Sequence, residues 1–345
     1  MKKIMVAMSG GVDSAAACLL LRQQGCEVGG ATMLLRDGGE AEARDARDAA
    51  QRMDIPFFLF DLREEFQKNV ITPFAEVYRS GGTPNPCVTC NRTMKFGLFL
   101  DRALELGYDG IATGHYARIE SAQGRALLKT AADRAKDQTY VLCRLSQFQL
   151  SHAVFPLADA PDKEAVRALC TQAGLALARK HDSQDICFVP DGDYMAYLTT
   201  HGIVPTAGNF LTPEGKVIAP HRGMEAYTTG QRRGLGVALG ERAYVLGKRG
   251  ADVILGAERQ LYSRRVFVRQ VSYIPFDRPE GPICVQAKLR YTAKSADATL
   301  IPTPEGCILE FDTPQRAVTS GQTAAFYSGE LVIGGGTIEN SEDLT

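Results

Sequence analysis

The sequence predicts an α/β fold: an N-terminal doubly wound parallel sheet, a small central domain and a C-terminal antiparallel β-barrel. Three observations predict it. Apolar runs alternate with helical patterns up to His115, and strands alternating with helices imply a parallel sheet with helices on both faces. From about residue 200 short β-rich runs and glycine turns take over, among them Gly208, Gly215, Gly223, Gly230 and Gly240. After residue 257 strands recur at short spacing to Ile338, which suits a small barrel. A chain of 345 residues is too long for one ordinary core. The expected domains are residues 1–198, 199–256 and 257–345.

The elements follow in order. Ile4 to Met8 reads as a buried strand, and Ser14 to Gln24 as a helix stopped by Gly25. Val28 to Leu35 is the next strand. From Glu40, Ala43, Ala46, Ala50 and Met53 share one helical face. Phe57 to Phe60 is a third strand, Arg63 to Tyr78 a long helix, and Thr93 to Leu106 another. Ile111 to Thr113 is a further strand ending at Gly114-His115, followed by a hairpin of Tyr116–Glu120 and Arg125–Lys129. A helix runs from Pro161-Asp162 to Gly174 with Val166, Leu169, Cys170 and Ala173 inward. Ligands of such sheets bind at the carboxyl ends of the strands, where both Ser9–Ser14 and Gly114-His115 fall.

Net charge is −1, but Lys216 to Lys294 holds 15 Lys and Arg against 6 Asp and Glu. Such a basic segment in a near-neutral chain fits a polyanionic partner as well as an ordinary solvated surface. No apolar stretch approaches the roughly 18 residues of a membrane span. The N-terminal apolar run breaks at Ser9-Gly10-Gly11, too short for the core of a secretion signal. Nine irregularly spaced cysteines without an export signal suit a reducing cytoplasm.

Ser9-Gly10-Gly11-Val12-Asp13-Ser14 lies between strand and helix. Glycines let backbone N–H groups approach an anion, and the helix N-terminus favours negative charge. Ser9 and Ser14 can add hydroxyl donors. Asp13 would repel a bare phosphate and is therefore expected to hold Mg²⁺ between carboxylate and phosphate. The hexapeptide lacks the Gly-Lys-Ser/Thr ending of the nucleotide-kinase loop. It resembles instead the pyrophosphate (PP) loop of the HUP-like ATP-pyrophosphatases, which split ATP between the α and β phosphates.

Pro84-Asn85-Pro86-Cys87-Val88-Thr89-Cys90-Asn91 is the second informative segment. Cys90 is expected near a helix N-terminus, with a lowered pKa. A lone Cys-x-x-Cys admits a redox pair, half a metal site or chance, and four-cysteine zinc would need a second pair that the chain lacks. Cys187 follows the polar run His181 to Asp185. Cys18, Cys143, Cys170, Cys284 and Cys307 lie within apolar patterns and are expected in the core.

Together these segments resemble the tRNA-specific 2-thiouridylases, the MnmA family, along essentially the whole chain. The marks are Ser9–Ser14, Thr83–Pro86 with Cys90-Asn91, Lys95-Phe96, Ala112–Tyr116, Lys136–Gln138, Asp185–Phe188, Gly230–Gly236, Arg290-Tyr291 and Gly334–Gly336. The resemblance implies ATP binding through Ala7, Met8, Ser9, Gly10, Gly11, Val12, Asp13 and Ser14, with Met33 and Gly114. It implies adenylation of the C2 oxygen of the wobble uridine in the tRNA anticodon loop, then replacement of that oxygen by sulfur. Cys187 would carry a persulfide received from a relay protein, and Cys90 would be the nucleophile that can close a disulfide with it. Asn85, Pro86 and Cys87 match the target-base contact. His115, Lys136, Asp137, Gln138, Arg290, Tyr291 and Gln322 match tRNA contacts. The isolated chain is expected to be a monomer.

Two departures stand out. Residue 87 is commonly aspartate in the family and is Cys87 here, so Cys87, Cys90 and Cys187 could hold a [4Fe-4S] cluster with one iron open to exogenous sulfide. The persulfide route stays open beside it. The stretch from Leu35 to Asp48 is also shorter than expected. Arg232-Arg233 reads as a phosphate contact, and Arg264-Arg265 as a phosphate contact or a solvated pair. Two other classes remain: an ATP-pyrophosphatase acting on a small acid or amide, and a non-catalytic RNA-binding or sulfur-carrier protein. Neither needs both the pyrophosphate loop and the cysteines.

Overall fold

A computed structural model describes residues 1–175, 186–189, 192–237 and 242–343. Four parallel pairings join five strands in the order β3-β2-β1-β4-β7. These are β1 (Lys3–Ala7), β2 (Glu27–Leu34), β3 (Phe57–Asp61), β4 (Gly110–Ala112) and β7 (Ala153–Val154), with β5 (Ala117–Ala122) and β6 (Arg125–Thr130) forming a hairpin between the last two. The sheet is continuous hydrophobic sequence because helices cover both faces. On one side Ala15, Ala16, Ala17 and Cys18 of α1 (Val12–Gln23) pack with Ala46, Ala49 and Ala50 of α2 (Glu40–Arg52). Phe96, Phe99 and Leu100 pack on the other. Small residues on α1 and α2 let both helices lie close to the sheet. Strand order reverses between β1 and β4, so the crevice at their carboxyl ends is the switch point where α/β sheets bind ligands.

The expected helix over Arg63–Tyr78 forms, with a π-helical turn at Gln67–Ile71 immediately before Pro73. Proline lacks an N–H and its ring crowds the carbonyl four residues back, so a widened turn accommodates it. The helix expected at Thr93 begins earlier, at Pro86. It runs as Pro86–Cys90, a π-helical stretch Asn91–Leu98 and Phe99–Glu105. Asn85 caps it, its Oδ1 accepting from Val88 N at 3.4 Å, and Pro86 occupies the first turn, where a missing donor costs nothing.

The central region forms a four-stranded sheet, β10-β11-β8-β9, from β8 (Gly208–Leu211), β9 (Val217–His221), β10 (Tyr244–Arg249) and β11 (Asp252–Gly256). The last six strands are β12 (Tyr262–Tyr273), β13 (Ile283–Lys288), β14 (Ala296–Thr303), β15 (Gly306–Arg316), β16 (Thr323–Ser328) and β17 (Leu331–Asp343). They pair in the order β12-β15-β14-β13-β16-β17, and β17 returns to β12, closing an antiparallel barrel. Sequence reasoning missed two features. β7 is only two residues long. The β5–β6 hairpin joins the barrel sheet through Leu331 opposite Lys129, so the N-terminal region and the barrel share hydrogen bonds.

Four of the five cysteines expected in the core are buried, but Cys284 is exposed on β13, because alternate residues of a barrel strand face solvent. Ala173 is also exposed, at the frayed end of the helix Lys163–Gln172. Among the described residues no helix is long and apolar enough to cross a membrane.

Candidate active site

The loop after β1 is shaped by close approach. Gly10 has φ of +68°, and a Cβ there would lie 2.7 Å from the Glu42 carbonyl oxygen of α2. Gly114, after β4, faces the start of α1, where a Cβ would lie 2.6 Å from Asp13 Cβ and 2.9 Å from Ser14 N. Only a residue without a side chain lets the two strand ends converge. Ser14 is buried and its hydroxyl works internally: it donates to the Gly11 carbonyl at 3.0 Å and accepts from Ser9 N at 3.2 Å. The hydroxyl expected to donate to a ligand thus fixes the loop in this structure. Ser9 is exposed.

Asp13 is already engaged. Both carboxylate oxygens accept from Lys163 Nζ, at 2.8 and 2.7 Å, and Oδ1 also accepts from the Tyr116 hydroxyl at 3.0 Å. The carboxylate expected to hold magnesium is thus paired with the Lys163 ammonium in this structure. Lys163 was not legible as a site residue. It follows the helix cap Asp162, whose Oδ1 accepts from Ala165 N, and nothing local announces a partner 150 residues away.

His115 is 8% exposed. Its ring packs by Phe96 and Phe155, and its Nδ1 is 2.7 Å from Thr113 Oγ1. Burial, then the nearby Lys95 ammonium, holds its pKa well below 6.5, so the imidazole is neutral.

Cys90 and Met33 pack against one aromatic cluster that includes Phe66, Phe74 and Phe188. Phe188 meets Phe66 at 5.5 Å and Phe74 at 5.2 Å between centroids. That anchor fixes the neighbouring Cys187, which is exposed, as is Cys87. The three thiols are close enough to perturb one another. Burial pushes Cys90 up to about 12, opposed by Lys95 and reinforced by Cys187 and Cys87. Cys87 is raised too, by desolvation from the protein packed around it even though part of the residue is open to solvent, and then by Cys187. This corrects the lowered pKa expected for Cys90. The residue ends the first turns of a helix that continues, so helix-terminal N–H groups do not face it, and desolvation of the thiolate dominates. Lys95, within the π-helical stretch that follows, is close enough to lower the Cys90 pKa against that burial.

As placed, Cys87, Cys90 and Cys187 are not a ready metal site: among the described residues no group of three His, Cys, Asp or Glu is arranged to hold an ion. His181 and Asp185, upstream of Cys187, lie outside the described residues.

Beside Cys87 stands a mixed patch. Tyr291 is 45% exposed, and its pKa is raised by burial, then by Asp137 and Cys87. Lys288 Nζ lies 5.4 Å from the Tyr291 ring and 5.7 Å from that of Tyr140. Asp137 accepts from Ala131 N at 3.0 Å and from Thr139 Oγ1 at 2.6 Å. Gln138 accepts from Tyr116 N at 3.0 Å, and Lys136 is half-buried next to it. Two residues expected to contact tRNA make hydrogen bonds within the protein. Gln322 Nε2 donates to the Thr83 and Pro84 carbonyls at 3.0 and 3.2 Å. Arg290 Nη2 donates to Thr229 O, Ala317 O and Thr319 Oγ1 at 3.2, 2.7 and 2.6 Å. Gln322 thereby holds the loop bearing Asn85 and Pro86 against the barrel, while Arg290 ties Thr229 of the central region to the barrel loop of Ala317 and Thr319.

Residues 2–191 match the family model of the tRNA methyl transferase HUP domain, 196–255 its PRC-barrel domain and 263–338 the aminomethyltransferase beta-barrel domain. The chain is 43% identical over 359 residues to the tRNA-specific 2-thiouridylase MnmA of Acetivibrio thermocellus, covering 98% of this chain and 99% of that one. It is 43% identical over 357 residues to MnmA 1 of Clostridium tetani, covering 100% and 98%. A looser likeness is to NMN synthetase from Francisella tularensis, at 12% identity and a TM-score of 0.34, covering 52% of this chain and 66% of that one. With matches of this extent across all three regions, the chain belongs to the family of tRNA-specific 2-thiouridylases, MnmA.

Proposed function

We propose that this chain converts the wobble uridine of tRNA to 2-thiouridine, using ATP to make the C2 oxygen a leaving group. The observation that carries the reading is the common wall between nucleotide loop and thiols: Met33, at the end of β2, and Cys90 pack on one cluster. ATP phosphates lie against Ala7–Ser14, where backbone N–H groups and the start of α1 favour anions. A magnesium ion carried in with ATP would supply charge screening for the departing pyrophosphate. The uridine O2 attacks the α-phosphorus, and the bond to the β-phosphate oxygen breaks, releasing pyrophosphate. Sulfur then forms a bond to C2, and AMP leaves with the former O2.

The persulfide route uses the paired thiols. The outer sulfur of a Cys187 persulfide attacks C2. The Cys90 thiolate then attacks the inner sulfur, leaving the outer sulfur on the base and a Cys90–Cys187 disulfide that an external dithiol reduces. The base must leave the anticodon stack to reach the thiols, and exposed Tyr291 beside Cys87 offers a face for stacking. Asn85, Pro86 and Cys87 border the same point, with Lys136, Asp137 and Gln138 behind it.

The test is pyrophosphate release from ATP with and without tRNA. Stimulation confined to tRNA with an unmodified wobble uridine is expected, and equal stimulation by a small acid or amide overturns the reading. Cys90→Ala and Cys187→Ala are each expected to abolish thiolation and retain ATP binding. The third thiol, Cys87, favours a second reading, a [4Fe-4S] cluster on Cys87, Cys90 and Cys187 fed by sulfide. Iron and sulfide analysis after anaerobic purification separates the two: iron-free protein that thiolates tRNA eliminates the cluster.

A further inference from the structure

Beyond the thiol crevice, Gly230, Gln231, Arg232, Arg233, Tyr244 and Arg316 line an open cleft of about 470 Å³ where the central region meets the barrel. The loop that forms it is locked from within. Gln231 accepts from Thr228 N through its side-chain oxygen and donates to the Arg233 carbonyl through its side-chain nitrogen, both at 3.0 Å. Its main chain pairs with Val245, and Gly230 N with the Val245 carbonyl. Gly230 has φ of +87°, and a Cβ there would lie 2.6 Å from Ala317 Cβ, so the turn sits tight against the barrel.

This rigid loop presents Arg232 and Arg233, both exposed, without a carboxylate partner among the described residues. Arg63, Arg102, Arg118, Arg125 and Arg134, by contrast, are ion-paired. Arg316 adds a third guanidinium, stacked 5.3 Å above the Tyr244 ring and steadied by Glu258 at 3.2 Å. Guanidinium groups on a preorganised frame offer forked donors that suit phosphate oxygens. The cleft is also tied to the thiols. Arg290 bridges Thr229, next to Gly230, with Ala317 and Thr319, and Gln322 in the same barrel loop holds Thr83 and Pro84.

We propose that this cleft holds a backbone phosphodiester of the RNA substrate, anchoring it at a fixed offset from Cys87 and Cys90 through the Arg290–Gln322 frame. The inference rests on the proposed tRNA substrate. The basic balance of Lys216–Lys294 supports a polyanion over a free phosphate, because a chain of phosphates engages the whole surface at once.

The test compares wild-type protein with the Arg232→Gln/Arg233→Gln double variant in binding a labelled anticodon stem-loop across a salt series. Loss of one phosphate contact should flatten the slope of log K against log salt by roughly 0.7 to 0.9, and Arg232→Lys/Arg233→Lys should restore it. Binding to wild type and variant with the same slope overturns the anchor alone. Inorganic pyrophosphate that binds wild type but not the variant, while leaving RNA binding to wild type unchanged, also overturns it by assigning the cleft to a free anion. Failure of wild-type protein to bind RNA overturns the proposed function itself.

Discussion

Gly114→Ala tests whether the meeting of β4 and α1 shapes the nucleotide site. The added methyl would stand 2.6 Å from Asp13 Cβ, 2.8 Å from Asp13 C and 2.9 Å from Ser14 N. Carbon atoms pack at about 3.5–4.0 Å, so one strand end must retreat by roughly 1 Å. Two of the three opposing atoms are backbone, so no side-chain rotation relieves the clash. Overpacking of this kind costs about 1–3 kcal/mol of stability. The larger effect falls on the reaction, since a displacement of about 1 Å in a positioned group costs on the order of 100-fold in rate. The assay is tRNA-dependent pyrophosphate release, with denaturant unfolding alongside. Gly281→Ala is the control, because a Cβ there meets nothing within 4 Å. Wild-type release by Gly114→Ala, with unfolding unchanged, would refute the steric argument.

Two further predictions concern protons. His115 is held neutral when folded but takes a proton near pH 6.5 when unfolded; the unfolded state therefore gains protons as pH falls below about 6.5, and stability declines by at most about 1.4 kcal/mol per pH unit until the folded pKa is reached. His115→Gln should flatten that acid-side slope in unfolding measurements, and an unchanged slope contradicts the assignment. Cys90, raised to about 12, should alkylate at a rate that climbs about tenfold per pH unit from 7 to 10 without levelling. Lys95→Met removes the cation that opposes burial and should slow alkylation at every pH in that window, with Lys95→Arg restoring it; coincident profiles would show that Lys95 does not act on the thiol.

Local signals carried most of the fold. Periodicity placed β1 to β4 and α1 within two residues of their observed limits, because each stretch buries one face or both and shows it in sequence. The misses have long-range causes. Two-residue β7 has no pattern of its own and exists because β4 presents an open edge. The β5–β6 hairpin was legible as a hairpin, but its docking on β17 depends on residues about 200 positions away. The start of the thiol-bearing helix was misplaced because Pro84-Asn85-Pro86 reads as a loop, although Asn85 and Pro86 are also a helix cap and first turn.

The site was legible as a set of positions, less so as a set of tasks. A motif says that a polar residue is needed at a place; it does not say whether that residue faces a ligand or its own chain. Asp13, Ser14, Gln322 and Arg290 all lie where the sequence put the site, yet each spends its polar atoms inside the protein. The thiols show the same limit from another side. Helix context suggested an acidic Cys90, while burial and two neighbouring sulfurs oppose ionisation, and only Lys95 works against them. The balance between those effects depends on Phe188, Cys187 and Lys95 converging from separate elements, and no spacing along the chain encodes that convergence. Burial that keeps Cys90 protonated also protects it from adventitious oxidation, since the thiolate is the reactive form. Lys95 is the cation that pulls the Cys90 thiol the other way, so the reactivity of that thiol is set by the opposition of burial and this one charge.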